Sequence, residues 1–259
     1  MKTVTADTCA QAWLSATNYL RTKESWSDFN VILEITDPMA VTDQDKAVFS
    51  LVDALLLKNE TSVDTVVNTI FPARLYSTNG AKDLCKKYEE LLPKIKMDRQ
   101  NRWGTYFLRM TQRKDASGEP FNPLLDLVKK LKGQREKNQP PRPMYEMNTF
   151  DPLMDIQTYS TEQDRKGLYG PCLSHLSFKP NRNGLMLTGL YRSHYYIARA
   201  LGNLCGLAWL QHFVAQEAGF KSSSLTCIST LAKIDTGFGK REVIALIDEC
   251  NRAYGSKGS

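Results

Sequence analysis

The chain has 259 residues, 42% hydrophobic and 24% charged, with 34 Lys and Arg against 28 Asp and Glu for a net charge of +6. These proportions exclude a disordered chain, and the length is enough for one α/β or α+β unit with a full core. The mild positive bias suits a small anionic ligand such as a nucleotide. It does not make a nucleic-acid arm, because the longest basic run, Lys129-Lys130-Leu131-Lys132, reads as the solvated end of a helix.

The N-terminus lacks the apolar core of a signal peptide, and no apolar stretch reaches the ~20 residues needed to span a bilayer. The six cysteines form no Cys-x-x-Cys pair, so no metal site is expected. The reading is a cytoplasmic chain with reduced thiols and no membrane association.

Asp7-Thr8 offers an N-cap for a helix carrying Ala10, Trp13, Leu14 and Tyr19-Leu20. Asn30 to Ile35 is short and β-branched, a strand ending at Thr36-Asp37-Pro38. Helical patterns run from Asp43 to Leu57, Thr61 to Ile70, Ala81 to Leu92 and Pro123 to Leu131, the last starting after Asn122. Gln134 to Pro143 is polar and contains three prolines, which makes it a long loop or linker. Strand-like runs follow at Met144 to Asn148, Leu173 to Phe178 and Leu185 to Tyr191, the last two joined by the hairpin signal Asn181-Arg182-Asn183-Gly184. Tyr196 to Ala218 is apolar nearly all round, a buried helix that Gly219 is placed to end. The Gly255 to Ser259 end is expected to fray.

The most informative stretch begins at Gly170-Pro171-Cys172-Leu173 and continues through Phe178 to Tyr191-Arg192-Ser193 and Gly202-Asn203. It resembles the thymidylate synthase family. Pro171-Cys172 matches that family's nucleophile turn, Arg192-Ser193 its phosphate-gripping pair and Asn203 its pyrimidine-reading residue. The spacings match without a gap. Leu207 to Gly219 is similar to the family's buried helix, so residues 170–219 form the nucleotide-site core of a single domain, 1–259. A thinner likeness covers Trp103-Gly104-Thr105-Tyr106, whose aromatic residues join His194 and Tyr195 as candidate pocket residues. Arg142 stands where the family supplies a phosphate-binding arginine across its dimer interface, although here it lies within Pro141-Arg142-Pro143.

The chemistry fits these residue types. A thiolate that adds to C6 of a uracil-type ring makes C5 carbanion-like, able to attack a one-carbon electrophile. Cysteine, with a pKa near ~8.5, needs a cationic neighbour to ionise at neutral pH. Arg192 can supply that charge and also bind phosphate as a fork, with Ser193 donating to a second oxygen. The Asn203 amide offers one donor and one acceptor, complementary to uracil O4 and N3–H, whereas cytosine presents the reverse. Plainer roles stand beside these. Asn203 also fits a hydrogen-bonded core amide, His175 and His194 fit packing or surface roles better than a catalytic base, and Tyr191, Tyr195 and Tyr196 fit core filling.

Several family residues are replaced. Leu173 stands where the family has a histidine, Tyr195 where it has the aspartate that contacts folate, and Ala200 to Gly202 where it has Leu-Pro-Phe. Leu231-Ala232-Lys233 falls at the sugar-holding His-x-Tyr, and the apolar C-terminal tail is missing. The nucleotide side is kept and the folate side is degenerate, which puts methylenetetrahydrofolate in doubt as cofactor and leaves the sugar, ribose or deoxyribose, open.

The resemblance implies an α+β fold, a large mixed sheet with helices packed on one face, and a homodimer. It implies an enzyme acting at C5 of a dUMP-like pyrimidine nucleotide monophosphate through a cysteine adduct. The nucleotide hydroxymethylases would be its relatives in chemistry. The alternative is an inactive homologue that binds the nucleotide as a sensor or assembly partner. Nucleic-acid binding rests on the charge alone.

Overall fold

A computed structural model describes residues 1–97, 105–115, 117–135, 143–149 and 171–255. Trp103, Arg142, Gly170 and residues 256–259 lie outside these, as does most of the proline-rich loop.

Strand β1 (Lys2–Ala6), helix α1 (Cys9–Arg21) and strand β2 (Ser27–Ile35) make a β-α-β unit in which the strands run parallel. Thr8 caps α1, accepting from Gln11 N at 3.3 Å. A capping box of Thr42 and Asp45 starts α2 (Asp43–Leu56), and Ser62 caps α3 (Val63–Ile70). Helix α4 (Ala73–Ile95) is broken at Gly80, so its second half begins where the sequence pattern puts a helix. Beyond it come α5 (Tyr106–Thr111), the small β3 (Arg113–Lys114) and β4 (Pro120–Phe121) pair, and α6 (Pro123–Gln134), capped by Asn122.

The second half holds β5 (Glu146–Asn148), β6 (Leu173–Asn181), β7 (Gly184–Tyr191), β8 (His194–Tyr195), a π-helical turn at Tyr196–Ala200, α7 (Leu201–Ala218), β9 (Ser222–Lys233) and α8 (Lys240–Gly255). The expected hairpin joins β6 to β7, pairing Asn181 with Gly184. Gly255 is the last residue of α8.

The main sheet is mixed and seven-stranded, ordered β1-β2-β9-β7-β6-β5 with β8 beside β9. The α+β expectation holds. Alternation along the central strands separates two faces. Leu33, Leu187, Tyr191, Leu225 and Cys227 are buried under the helices, while Ile32, Met186, Leu190 and Ile228 on the opposite face are half-buried. The central strand β9 carries no element in the sequence reading, nor does α8. The run Ser222-Ser223-Ser224 at the start of β9 reads locally as turn, and long-range pairing on both sides overrides that preference. No described helix is long and apolar enough to cross a membrane.

Helix α7 is the hub of the core and is buried nearly all round, as its composition requires. Gln211 ties it to the sheet by donating from Nε2 to Leu185 O (2.7 Å) and Ser223 O (2.9 Å). On its other side α3 comes so close that α7 needs glycine at successive turns. A Cβ on Gly202 would lie 2.6 Å from Val66 Cβ and 2.9 Å from Val63 O, and one on Gly206 would lie 2.9 Å from Ile70 Cβ. Overpacking of this kind costs about 1–3 kcal/mol. Gly202→Ala should therefore lower the urea midpoint by that equivalent at unchanged slope, while Gly237→Ala, with nothing within 4 Å of its Cβ, should leave the midpoint nearly unmoved.

Candidate active site between the Cys172 turn and the head of α7

Cys172 stands at the head of β6, half-buried. Antiparallel pairing of β6 with β7 sets Leu173 opposite Tyr191, which brings the residue after β7 to the turn at Cys172. Arg192 N donates to Cys172 O at 2.9 Å, and Arg192 Nε donates to Pro171 O at 3.2 Å. From β9, Thr230 Oγ1 donates to Arg192 O at 2.8 Å. The hairpin thus unites Cys172 and Arg192, as the sequence motif implies. Ser193 follows, half-buried.

Tyr106, from α5, holds the same turn from the other side. Its hydroxyl oxygen accepts from Cys172 N (3.1 Å) and Leu173 N (3.3 Å). Burial, with the neighbouring Cys172, pushes the phenol up to about 12, so it stays protonated.

Two opposing effects act on the Cys172 thiol. Burial raises its pKa above the usual thiol range, and the positive charges of Arg192 and Arg199 pull it back. Sequence reasoning missed Arg199. Its signal was a lone charge in the otherwise apolar stretch Tyr196-Ile197-Ala198-Arg199-Ala200-Leu201. Arg199 belongs to the π-helical turn, and its charge also favours the ionised forms of Tyr106 and Asp235.

That turn is held by partners far away in sequence. Asp235 Oδ1 accepts from Ile197 N at 2.9 Å, and the Asp235 carboxylate also accepts from Ala198 N, at 3.2 Å to Oδ2. Trp13 Nε1 donates to Tyr196 O at 2.6 Å. A helix start leaves backbone N–H groups unpaired, and a carboxylate is a strong acceptor for them.

Behind the turn lies a second, dry group of side chains. His194 is 1% exposed and stacks flat on Tyr191, ring centroids 4.0 Å apart and planes 4° apart. Its Nδ1 lies 2.9 Å from Ser229 Oγ and its Nε2 lies 3.0 Å from Asn203 Nδ2. Burial drives the imidazole down to about 3, so it is neutral at physiological pH. Asn203, on the first turn of α7, is 5% exposed. Tyr191 touches both groups. Its ring packs on His194, while its buried hydroxyl has no hydrogen-bond partner and, close to Tyr106 and Cys172, is held protonated by burial. A buried polar atom left unpaired costs about 1–3 kcal/mol, and a ligand or water would satisfy it. Tyr195, by contrast, is 47% exposed. Trp103 and Arg142 lie outside the described residues. Among the described residues no three of His, Cys, Asp and Glu cluster to hold a metal ion.

These opposed effects are separable. Loss of the Arg199 guanidinium removes a charge that favours the thiolate, so the Cys172 pKa should rise. Alkylation of Cys172 by iodoacetamide, followed by peptide mass spectrometry across pH, should shift to higher pH in Arg199→Met. Tyr106→Phe should leave the turn without its shared acceptor and lower stability by about 1–3 kcal/mol in urea denaturation.

No protein-family model matches the chain. Among curated proteins, one from Methanothermobacter marburgensis named "Putative thymidylate synthase" is 35% identical over 88 residues, 34% of this chain and 35% of that protein. The chain thus matches about a third of its relative's length. At that extent the likeness supports a distant thymidylate synthase-like relationship.

Proposed function

We propose that this chain is a thymidylate synthase-like enzyme acting at C5 of a dUMP-like pyrimidine nucleotide through an adduct at Cys172. The observation that carries the reading is the half-buried thiol on a turn held by Arg192, within electrostatic reach of Arg199. In this reaction the thiolate adds to C6, and the ring electrons move to C5. C5 takes up a one-carbon electrophile, then loses its proton as the thiolate leaves. Arg192 and Ser193 hold the phosphate and Asn203 faces the base edge. Arg142, outside the described residues, would add a phosphate contact from a second copy. Tyr191 supplies the buried hydroxyl for a ligand.

The folate side reads as degenerate. Tyr195 occupies the position of the folate-contacting carboxylate and is 47% exposed, while Asp235, the carboxylate that reaches this turn, is taken up by Ile197 and Ala198. Those residues do not fit methylenetetrahydrofolate, and the one-carbon electrophile is named here by chemical class alone. A homodimer through the open sheet face is also proposed, supported by the half-buried Ile32, Leu190 and Ile228 there. A charge at that centre, Ile228→Lys, should shift the mass measured by light scattering from dimer to monomer.

A second reading keeps the nucleotide and drops the chemistry. Burial raises the cost of ionising Cys172, which suits a sensor or assembly partner. Intact-protein mass spectrometry with 5-fluoro-dUMP and 5-fluoro-CMP, with and without methylenetetrahydrofolate, separates the two. The enzyme should form an adduct with 5-fluoro-dUMP that vanishes in Cys172→Ala. Calorimetric binding with no adduct would leave the sensor.

A further inference from the structure

Away from the Cys172 turn, a second group of thiols lies where α1 packs on α7. Cys205, on the second turn of α7, is half-buried and lines an apolar cavity of about 270 Å³. Met39, Phe49, Val67 and Trp209 make up much of its wall, and no residue of the Cys172 group belongs to it. Cys9, the first residue of α1, is 3% exposed. Its Sγ donates to Pro38 O at 3.4 Å, and Pro38 lines the same cavity. Cys9 and Cys205 are also hydrogen-bond partners, so two sulfur atoms meet at the cavity's edge.

A thiol oxidised beside a reduced one condenses with it to a disulfide, whereas an isolated sulfenic acid has no such partner. The two thiols are not equivalent. Cys205 meets the cavity, while Cys9 is sealed behind it. The hydrogen bond with Cys205, together with burial, holds the Cys9 thiol well above its usual range, so Cys9 keeps its proton and does not react first. Cys227 is buried in the same region, but the side chain it bonds is Ser229. The hydrocarbon and aromatic wall suits an oxidant with an apolar body.

We infer that Cys205 and Cys9 form an oxidisable dithiol that takes an organic hydroperoxide, Cys205 reacting first and Cys9 closing the disulfide. The Cys205 sulfur attacks the outer peroxide oxygen, the O–O bond breaks, and the alcohol leaves with the thiol proton. Cys205 is then a sulfenic acid. The Cys9 sulfur displaces its hydroxyl, which leaves as water with the Cys9 proton. The peroxide gains two electrons and the pair of thiols loses two. The new bond ties α1, whose Trp13 holds the Tyr196 carbonyl, to α7, which follows that π-helical turn. The pair works independently of the reaction proposed at Cys172.

The test exposes the full chain, reduced and then freed of reductant, to cumene hydroperoxide or to hydrogen peroxide. Remaining thiols are blocked with iodoacetamide in urea, and tryptic peptides are mapped without reduction. Residues 3–21, which hold Cys9, should appear joined to residues 200–221, which hold Cys205. Relative to its rate with free cysteine, the cumene reagent should join them about tenfold faster than hydrogen peroxide, the gain from burying a small hydrocarbon group. Cys172→Ala should leave the link unchanged. In Cys9→Ala, Cys205 should instead stop as a sulfenic acid that dimedone traps.

Recovery of Cys9 and Cys205 as separate alkylated peptides, while other thiols of the chain are oxidised, would overturn the dithiol. Equal relative rates for the two oxidants would overturn the role of the cavity in choosing an organic hydroperoxide.

Discussion

The carboxylate of Asp235 on the backbone N–H groups of Ile197 and Ala198 is the contact on which the site depends. Between β7 and α7 the chain leaves the sheet, crosses a π-helical turn and enters the central helix. Tyr191, Arg192, Ser193, His194, Arg199 and Asn203 all hang from that passage. Without an acceptor, the first N–H groups of the turn would be unpaired in a largely buried place. Asp235 satisfies them from one side, and Trp13 satisfies the Tyr196 carbonyl from another. Single-turn departures from α geometry concentrate at functional sites because they re-aim side chains; here the turn carries Arg199 within reach of the thiol.

Around Cys172 the forces oppose one another. A dry setting raises the cost of ionising the thiol, and the same setting strengthens the guanidinium charges that favour ionisation. Tyr106 belongs to this balance in a different way. It fixes the backbone of the Cys172 turn through two N–H groups, so the thiol has a defined position. The unpaired Tyr191 hydroxyl beside it is a local cost in the folded chain, of the kind that binding sites retain because a ligand can relieve it.

Most elements were legible in local pattern. Thr8, Ser62 and Asn122 are capping side chains immediately before apolar helical runs, and Asn181 to Gly184 is a hairpin turn by composition. The approach of Cys172 to Arg192 follows from that hairpin, whose pairing places residues by register, while the candidate roles of Pro171-Cys172 and Arg192-Ser193 were read from a family resemblance. The continuous helix expected from Tyr196 to Ala218 is instead a π-helical turn followed by α7. Its cause lies outside the segment, in partners 38 and 183 positions away. Strand β9 escaped notice for a similar reason. Serine-rich sequence becomes the middle of a sheet when strands on both sides supply its hydrogen bonds.

By itself the sequence determined the secondary-structure periodicity and the apolar character of the central helix, since each of these depends on residue type and short-range spacing, and it offered Cys172, Arg192, Ser193 and Asn203 as candidates through a family resemblance. Only the tertiary structure decided that Arg199 and Tyr106 reach the Cys172 turn, that Tyr195 faces solvent and that His194 meets Asn203. Those facts follow from burial and from contacts between elements remote in the chain. Burial changes the charge a group can hold, and a tertiary contact sets which partner a polar atom meets; neither is a property of a residue read in its sequence neighbourhood.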